Sequence, residues 1–477
     1  LHPIALVDRF VRIERISAAA IEVEWPAATA DSRPAQPVRL PADWALMLPG
    51  VIERLDIGRV VVRRGGVEQF RLDDLEASLR ADADRLTASV QSLDLTVGTA
   101  RIGLRGDASV LTRAPHATDG RIQLRVPDRS GRPPLRVEIR VNGPVEELSL
   151  RANTQWAGAP VEARTVLHAL DPRPLRQLRV DVRDLDLSRH DPAWPVTWLT
   201  GRYDAEISPA WASERKPLLI GPLTLANAVP GPIDRKRIPV GEAKAVASYA
   251  DGRITLQNLQ ASGPPGQSTG EGWFGNGGYR IVATSDALGL AALDSRLARR
   301  TLRVRLSMEP DAGGDGLDLD LKASDATLDT ELAARFGGDQ LRISRAQFRI
   351  RPGGAGRAGQ ASFSGRVGTT APFALSLAGD FRDFDPAQLL AAVPSGTLNG
   401  RWRADGNATE RLTGDVTLTG SRLRDLPLAG SLAATVTLKA FQPQRISAAR
   451  ASLRWGATKI DASGALGESA DALRLDI

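Results

Sequence analysis

Histidine is the first residue type to consider for acid–base chemistry near neutral pH, and this chain has four. They are His2, His116, His168 and His190, and none lies within metal-ligand spacing of another. In the segment SRHDPAW, Asp191 could orient His190, but the following proline favours an ordinary turn. The histidines therefore predict neither a metal site nor a catalytic base.

Carboxylates are abundant, but their placement is typical of hydrated surface residues. Pairs such as Asp73–Asp74 and Asp318/Asp320 fall on polar strand faces or in turns. Acid–base work would need burial or a close like charge to raise a carboxyl pKa. The chain also has no cysteine, no HExxH and no P-loop. We therefore expect a protein that is not an enzyme and that needs no cofactor and no metal.

The glycine-rich segment 270–278 (GEGWFGNGG) could suggest a phosphate-binding loop. It lacks the lysine and the helix that such a loop requires. We therefore expect a simple loop or bulge there.

The charge balance argues against a nucleic-acid partner. The 477 residues include 62 basic and 56 acidic side chains, a formal charge of +6. No long Lys/Arg block occurs, and aromatic residues, which would stack on bases, are only 5% of the chain. We expect no nucleic acid among the partners.

Period-2 alternation of apolar and polar residues is the dominant pattern. In TLRVRLSM, for example, Leu302, Val304 and Leu306 alternate with Arg303 and Arg305. Such segments predict strands with one apolar face and one charged, hydrated face. The alternating apolar residues, taken as the candidate lining of a binding face, are Leu93, Leu95, Val97, Ile102, Leu104, Ile122, Leu124, Val126, Val137, Ile139, Val141, Leu178, Val180, Val182, Ile254, Leu256, Leu302, Val304, Leu306, Leu317, Leu319, Leu321, Val416, Leu418, Leu432, Val436 and Leu438.

Turn signals such as Asp251-Gly252 separate these strands at spacings typical of an antiparallel-rich, all-β chain. Helical patterns are few and short. They cover residues 41–48, 288–299 and 385–392, the last with Asp385 as N-cap and Pro386 at the first helical position. The apolar face could be covered by a second sheet, closed into a barrel, or left open to an apolar ligand.

An internal repeat underlies the strands. Residues 178–205 align without gaps on residues 377–404, and eleven of the 28 aligned positions are identical. Matches such as Asp186/Asp385 and Gly201/Gly400 favour a duplicated unit, which cannot bury its face alone and must stack. The predicted organisation is a β segment at 1–177, a repeat unit at 178–376 and the start of a second unit at 377–477, within one continuous elongated sheet.

The segment 220–240 (IGPLTLANAVPGPIDRKRIPV) resembles a recurring segment of the TamB family, in the AsmA-like superfamily of bridge-like lipid transporters. The matching residues after its strand are Asn227, Gly231, Pro232, Asp234 and Pro239. The two repeat units and the opening stretch are also similar to that family. The family's N-terminal membrane helix and C-terminal domain are not found here, so we expect a middle section.

The resemblance implies a fold and a function. The fold would be a long curled β-sheet, open along one side like a taco shell. Anchored in the inner membrane by a helix outside this section, it would cross the periplasm of Gram-negative bacteria. It would conduct phospholipids along its apolar groove and support outer-membrane biogenesis with a TamA-like outer-membrane barrel as partner.

Two other classes of protein stay open at this point. One is a structural or adhesive β-solenoid with a closed, side-chain-filled interior. The other is a β-helix carbohydrate-active enzyme, which needs clustered acids that the sequence does not indicate. For the lipid conduit, a Leu→Asp change at Leu302 or Leu319 is expected to block transfer and leave the fold largely intact.

Overall fold

The structure is a computed structural model that describes residues 10–25, 41–43, 49–64, 67–97, 100–127, 135–171, 175–207, 219–275, 278–311, 316–351, 358–370, 373–407, 409–439, 442–467 and 474–476. Over these residues the chain is nearly all β, and 29 strands form one large, mostly antiparallel sheet. The predicted all-β, antiparallel-rich class is therefore confirmed. The chain divides into two compact units, Leu1–Ala228 and Val229–Ile477.

The first unit begins with two strands that pair in parallel with the third, and every later pairing within it is antiparallel. Its described strands are β1 Val11–Ala18, β2 Ile21–Trp25, β3 Gly50–Arg64, β4 Val67–Ala81, β5 Arg85–Val97, β6 Ala100–Leu111, β7 Ala117–Val126, β8 Leu135–Pro144, β9 Leu148–Trp156, β10 Ala159–Leu167, β11 Leu175–Leu185, β12 Leu199–Ile207 and β13 Leu219–Asn227.

The second unit is an antiparallel series in which each strand pairs with the next along the chain. Its described strands are β14 Glu242–Ala250, β15 Arg253–Gly263, β16 Gly266–Gly275, β17 Gly278–Gly289, β18 Thr301–Pro310, β19 Gly316–Ser324, β20 Leu328–Gly337, β21 Gln340–Ile350, β22 Gly359–Gly368, β23 Ala374–Phe384, β24 Gly396–Asn407, β25 Arg411–Leu423, β26 Leu426–Lys439, β27 Gln442–Trp455, β28 Thr458–Gly467 and β29 Arg474–Asp476.

Tight turns with positive φ angles join several neighbouring strands. Asp251 and Gly252, at φ 49° and 74°, link β14 to β15, and Ala157 and Gly158, at 51° and 78°, link β9 to β10. Two successive residues with positive φ match the right-handed twist of the flanking strands. The dipeptide Asp251-Gly252 is thus the hairpin turn that the sequence predicts.

Two of the three expected helices contain a helical turn, but both were predicted to be too long. Residues 288–299 contain one helical turn, α1 Leu290–Leu293, and Leu288 still belongs to β17. Residues 385–392 contain only a 3-10 turn at Pro386–Gln388, with Asp385 as its N-cap. Leu290 and Leu389, at these two turns, pack on the buried cluster at the strand ends, and Asp294 already returns to an extended backbone. In the segment 41–48, residues 41–43 are not helical and the rest lie outside the described residues.

The glycine-rich segment 270–278 was also misread as a loop. Gly270–Gly275 continue β16, and Gly278 starts β17, while residues 276–277 lie outside the described residues. Gly270 and Gly272 pair with Ala283 and Ile281 across the two strands. Glycine here keeps the ladder intact and simply leaves the apolar face without a side chain.

The two copies of the sequence repeat have the same local structure. Asp186 precedes the 3-10 turn Leu187–Arg189, as Asp385 precedes its own turn 199 positions later. The Asp186 Oδ1 atom accepts hydrogen bonds from the backbone N–H groups of Ser188 (3.1 Å) and Thr197 (3.2 Å). A short polar side chain before the turn thus satisfies donors on both of its sides.

The equivalent contacts recur at Asp385, whose Oδ1 atom accepts from the backbone N–H groups of Ala387 (3.1 Å) and Gly396 (3.2 Å). An aspartate with a positive φ angle also comes before each turn: Asp184 has φ 52° and Asp383 has φ 46°. Each of these positions differs from its counterpart by 199, the offset of the sequence repeat. One copy lies in each unit, but the repeat boundaries at 178 and 377 stay a prediction.

Fully buried apolar residues gather in small clusters beside these connections. In the first unit the cluster is Ala159, Leu185 and Leu199. In the second unit, Leu302, Ala323 and Leu328 form a cluster against Leu290 and Leu389, which flank the two short turns. The connections thus cap the apolar face at one end of these strands, and this is where much of the buried core lies.

Candidate functional site

The candidate lining residues of the first unit are register partners in rows that run across the strands. Leu93 of β5 pairs with Leu104 of β6, Leu104 with Leu124 of β7, and Leu124 with Val137 of β8. A second row, from β7 to β11, consists of Ile122, Ile139, Ala152, Ala163 and Val180. Since side chains of paired residues point to the same face, each row is a continuous apolar stripe.

The second unit has equivalent rows. Met308 of β18 pairs with Leu319, Leu319 with Ala334, and Ala334 with Ile343. Further along the chain, Val416 of β25 pairs with Leu432 of β26. Bulges interrupt several ladders without moving the apolar residues to the other face. Each row is therefore apolar over many strands.

Most of the described candidate residues are half-buried. Val141 and Leu302 are buried, Leu432 is 38% exposed, and the side chain of Val97 lies outside the described residues. The apolar face also includes well-exposed aromatic and aliphatic side chains, such as Phe274 at 47% and Ile446 at 41%. A face of this kind retains apolar surface that can be removed from water by a ligand.

Leu302 differs from the other candidates. Its side chain is only 3% exposed and belongs to the buried cluster with Ala323 and Leu328. Leu302→Asp would place a charge in that cluster, so at this position we expect the change to destabilise the fold as well. Leu319 is half-buried and packs against a second cluster, so it too is coupled to stability.

Aromatic rings line part of the second unit's apolar face. Phe348 lies 6.2 Å from Phe363, and Phe363 lies 5.9 Å from Trp402, measured between ring centroids. Gly379 stands between Phe363 and Trp402 in the row, and a Cβ there would lie 2.6 Å from Trp402 Nε1. The missing side chain is what lets the two rings meet across β23.

The residues that resemble the TamB segment have structural contacts. Asn227 ends β13, and its Oδ1 atom accepts a hydrogen bond from the backbone N–H of Trp198 (3.3 Å). Pro232 caps the 3-10 turn Ile233–Arg235. The Asp234 carboxylate accepts hydrogen bonds from the backbone N–H and the hydroxyl of Ser295, and these bonds lower its pKa. Asp234 thus ties this turn to the connection that follows α1.

Gly231 and Pro239 lie on either side of that turn. The Gly231 backbone N–H donates to the carbonyl oxygen of Ile238 at 3.1 Å. The carbonyl oxygen of Pro239 lies so close to Gly263 of β15 that a Cβ there would be 2.4 Å away. These two residues shape the entry of the chain into β14 and β15.

Arg300 joins three connections at the capped end of the second unit. Its guanidinium donates to both oxygens of Asp325 (2.9 Å each) and to Gln388 Oε1 (2.6 Å), and it also bonds Thr327. The Asp325 carboxylate additionally accepts from the backbone N–H groups of Thr327 and Leu328. Burial raises the pKa of Asp325, but these hydrogen bonds and Arg300 outweigh it and lower the pKa overall.

The opposite face of the first unit bears a row of arginines that sequence reasoning missed. They are Arg121, Arg140, Arg151, Arg164 and Arg179, one on each strand from β7 to β11 and each the register partner of the next. Like charges placed directly opposite each other repel. A neighbouring row of carboxylates offsets this repulsion, because each one binds two arginines.

Those carboxylates are Glu138, Glu162 and Asp181. Glu162 bridges Arg151 and Arg164, and Asp181 bridges Arg179 and Arg202 at 3.2 and 2.8 Å. Hydrogen bonds from Arg164 and Arg202 lower the pKa of Glu162 and Asp181, respectively. Both carboxylates are therefore ionised near neutral pH and serve as bridges between arginines.

The histidine that could have been catalytic lies in a turn. His190 is flanked by the rings of Trp156 and Trp194, each 5.3 Å away between centroids. Among the described residues, no group of three His, Asp or Glu side chains is arranged to hold a metal ion. Within that same part of the chain, no helix is long and apolar enough to cross a bilayer.

The comparisons with known proteins give no relative from which a function could be transferred. The chain matches no protein-family model, no curated protein and no solved structure.

Proposed function

We propose that this chain binds the acyl chains of phospholipids along its apolar face and conducts them from one membrane to another. The observation that supports this is the set of apolar rows, continuous across successive strands and mostly half-buried, with buried positions such as Ala334 and Ile343. Each methylene that leaves water for such a surface gains roughly 0.8 kcal/mol. Head groups would stay in water at the open side, so no charge would be buried.

A lining without deep pockets suits movement better than storage. The rows consist mainly of Leu, Val, Ile and Ala side chains, with a few Met and aromatic residues, so an acyl chain would meet similar apolar surroundings after each step. No single position would hold the lipid strongly.

The setting follows from the resemblance to the TamB family. We propose a periplasmic location with an anchor in the inner membrane, a TamA-like outer-membrane barrel as partner, and a role in outer-membrane biogenesis. The chain itself would act as a scaffold and not as an enzyme. A structural or adhesive β-solenoid with a closed core is the alternative, and the half-exposed rows speak against it.

Two adjacent residues on opposite faces of β25 provide a matched test. Val416 is half-buried in the apolar row, whereas Thr417 is exposed on the polar face opposite Arg401. Val416→Asp and Thr417→Asp each add one negative charge, one position apart. Phospholipid that co-purifies with the chain is measured by mass spectrometry, and lipid transfer is measured between donor and acceptor vesicles.

We expect phospholipid to co-purify with the wild-type chain and with Thr417→Asp. Val416→Asp should retain several-fold less lipid and transfer it more slowly, while its circular dichroism spectrum is unchanged. If the wild-type chain carries no lipid, or if both variants lose it equally, the proposal is wrong.

A further inference from the structure

A cavity of about 1060 Å³ lies on the first unit, across strands β5 to β11. Most of its lining residues belong to two polar rows that cross the strands side by side. The apolar residues between these two rows, such as Leu104, Leu124 and Val137, contribute their backbone. The cavity therefore opens on the charged face, opposite the apolar rows discussed above. Its volume is in the range of sites that hold small molecules.

The carboxylates of this cavity are already neutralised. They are Asp94, Glu138, Glu162 and Asp181. Each binds arginines that do not line the cavity; Asp94, for example, binds Arg101 at 2.5 Å, and Glu138 binds Arg121 and Arg140 at 3.3 and 3.5 Å. Four acidic groups in the lining therefore add little negative potential to the cavity.

The arginines of the cavity, by contrast, have no carboxylate partner among the described residues. They are Arg105, Arg125, Arg136 and Arg183. Arg105 donates to the neutral amide oxygen of Gln123 at 2.8 Å. Since its acids are paired outward and no carboxylate of the described residues binds its four guanidinium groups, the cavity offers uncompensated positive charge.

The register brings three of these arginines together. Arg125 and Arg136 are direct partners on β7 and β8, so their Cβ atoms are about 5 Å apart. Arg105 of β6 lies diagonally across from Arg125, since Gly103 is the direct partner of Arg125, and such diagonal neighbours are roughly 7–8 Å apart. Long guanidinium side chains can converge over these distances on one ligand.

We propose that this cavity binds a phosphate-bearing ligand through Arg125 and Arg136, assisted by Arg105. One planar guanidinium fork satisfies a flat carboxylate, but two opposed forks suit a tetrahedral group that offers oxygens in several directions. A bound phosphate also removes the repulsion between two arginines that face each other without an intervening acid. Arg183, on β11, is placed for a second negative group of a longer ligand.

The test uses two probes that separate a soluble ligand from a lipid head group. Glycerol 3-phosphate is titrated into the chain by calorimetry at low salt. Vesicles containing phosphatidylglycerol are tested for binding by flotation, with phosphatidylcholine vesicles as reference. Binding of the first probe alone identifies a soluble phosphate ester, and binding of the vesicles alone identifies a head group; both results support the site.

The variant Arg125→Gln/Arg136→Gln should weaken binding at least tenfold. The control is Arg342→Gln/Arg366→Gln on β21 and β22, another directly opposed and exposed arginine pair, which is not among the residues that line this cavity. It removes the same charge and should change binding less than about twofold. The variant Arg125→Lys/Arg136→Lys keeps the charge but loses the planar, paired N–H donors of the guanidinium groups. We expect its affinity to lie between those of the wild-type chain and the glutamine variant.

The proposal is overturned if neither probe binds the wild-type chain, or if both glutamine variants weaken binding equally. If Arg125→Gln/Arg136→Gln fails to fold, the lysine variant tests the proposal instead. Unchanged binding by the lysine variant would show that the two guanidinium groups are not required, and this would contradict the proposal. The site does not depend on the apolar face, so Val416→Asp should leave phosphate binding unchanged.

Discussion

Gly379 sets how closely two aromatic rings approach on the apolar face. Its own position is half-buried, and Phe363 and Trp402 meet across it. The alternation in the sequence predicts which face this position belongs to. It does not reveal that the neighbours are aromatic, because they lie on other strands and only the register brings them there.

Gly379→Ala is expected to destabilise the chain by about 1–3 kcal/mol, since its Cβ would clash with the Trp402 ring and the Ser362 carbonyl oxygen. Urea unfolding followed by tryptophan fluorescence measures this. Gly414→Ala on β25 is the control, because its Cβ would meet nothing closer than 3.6 Å. A control that loses as much stability as Gly379→Ala would show that the ring contact is not the cause.

The arginine row shows the same limit of sequence reasoning. Its members are separated by 19, 11, 13 and 15 positions along the chain, so no basic block appears in the sequence. They become neighbours because hairpins of unequal length bring one arginine per strand into register. A charge count alone therefore missed this row and the ion pairs that it forms with the neighbouring carboxylates.

At the scale of elements, the short connections close one end of the apolar rows. The sequence predicted the N-cap at Asp385 and the proline after it, because both are local signals. The contact between the connection after α1 and the turn at Pro386–Gln388, which includes the Ala298 N–H to Leu389 carbonyl bond of 2.9 Å, joins segments almost 90 residues apart. No local pattern indicates such a contact.

Asp325 makes this capped end sensitive to acid. Its pKa in the folded chain lies below the ordinary value of 3.8. The ionised Asp325 therefore stabilises the folded chain fully at any pH above 3.8, and this stabilisation is lost as the pH falls through the folded-state pKa. Asp325→Asn should therefore cost roughly 1.5–3 kcal/mol at pH 7, where the charged carboxylate binds Arg300 and two N–H groups.

The difference between the wild-type chain and Asp325→Asn should shrink as the pH drops below about 4. Urea unfolding at pH 7, 5 and 3 measures it. Asp320→Asn, on the exposed face of β19, is a suitable control and should show little difference at any pH. An Asp325→Asn effect that is the same at pH 3 as at pH 7 would contradict the role of the ionised carboxylate.

For the whole molecule, the pattern of strand pairing is the main architectural fact. The sequence predicted the all-β fold class because the alternation of apolar and polar residues and the turn signals are repeated many times. The register could not be predicted, since each bulge shifts it by one residue, as between Ile343 and Ala346. The curl of the sheet and its groove stay predictions that come from the resemblance.

A chain that pairs neighbour with neighbour should tolerate loss of its last strands. Truncation after Lys439 removes β27, β28 and β29, of which only β27 pairs with β26. Amide protection of β18 to β22, measured by hydrogen exchange and mass spectrometry, should be unchanged. Loss of protection throughout the second unit would mean that it unfolds as one cooperative block.

Deletion of residues 328–350 is the contrasting change. It removes β20 and β21, and with them the buried Leu328, Ile343 and Ala346. Protection of β18, β19 and β22 should then fall, although fewer residues have been removed, 23 against 38.

Neighbour-to-neighbour pairing also affects how such a protein can evolve. Deleting a hairpin removes three ladders and inserting one replaces a single ladder with three, whereas the strand pairing of distant ladders is unchanged. A gene can therefore gain or lose length in steps of two strands, and a copied block such as the one offset by 199 residues can be absorbed without a new fold. Selection could in this way adjust the span of the protein while the individual strands stay the same.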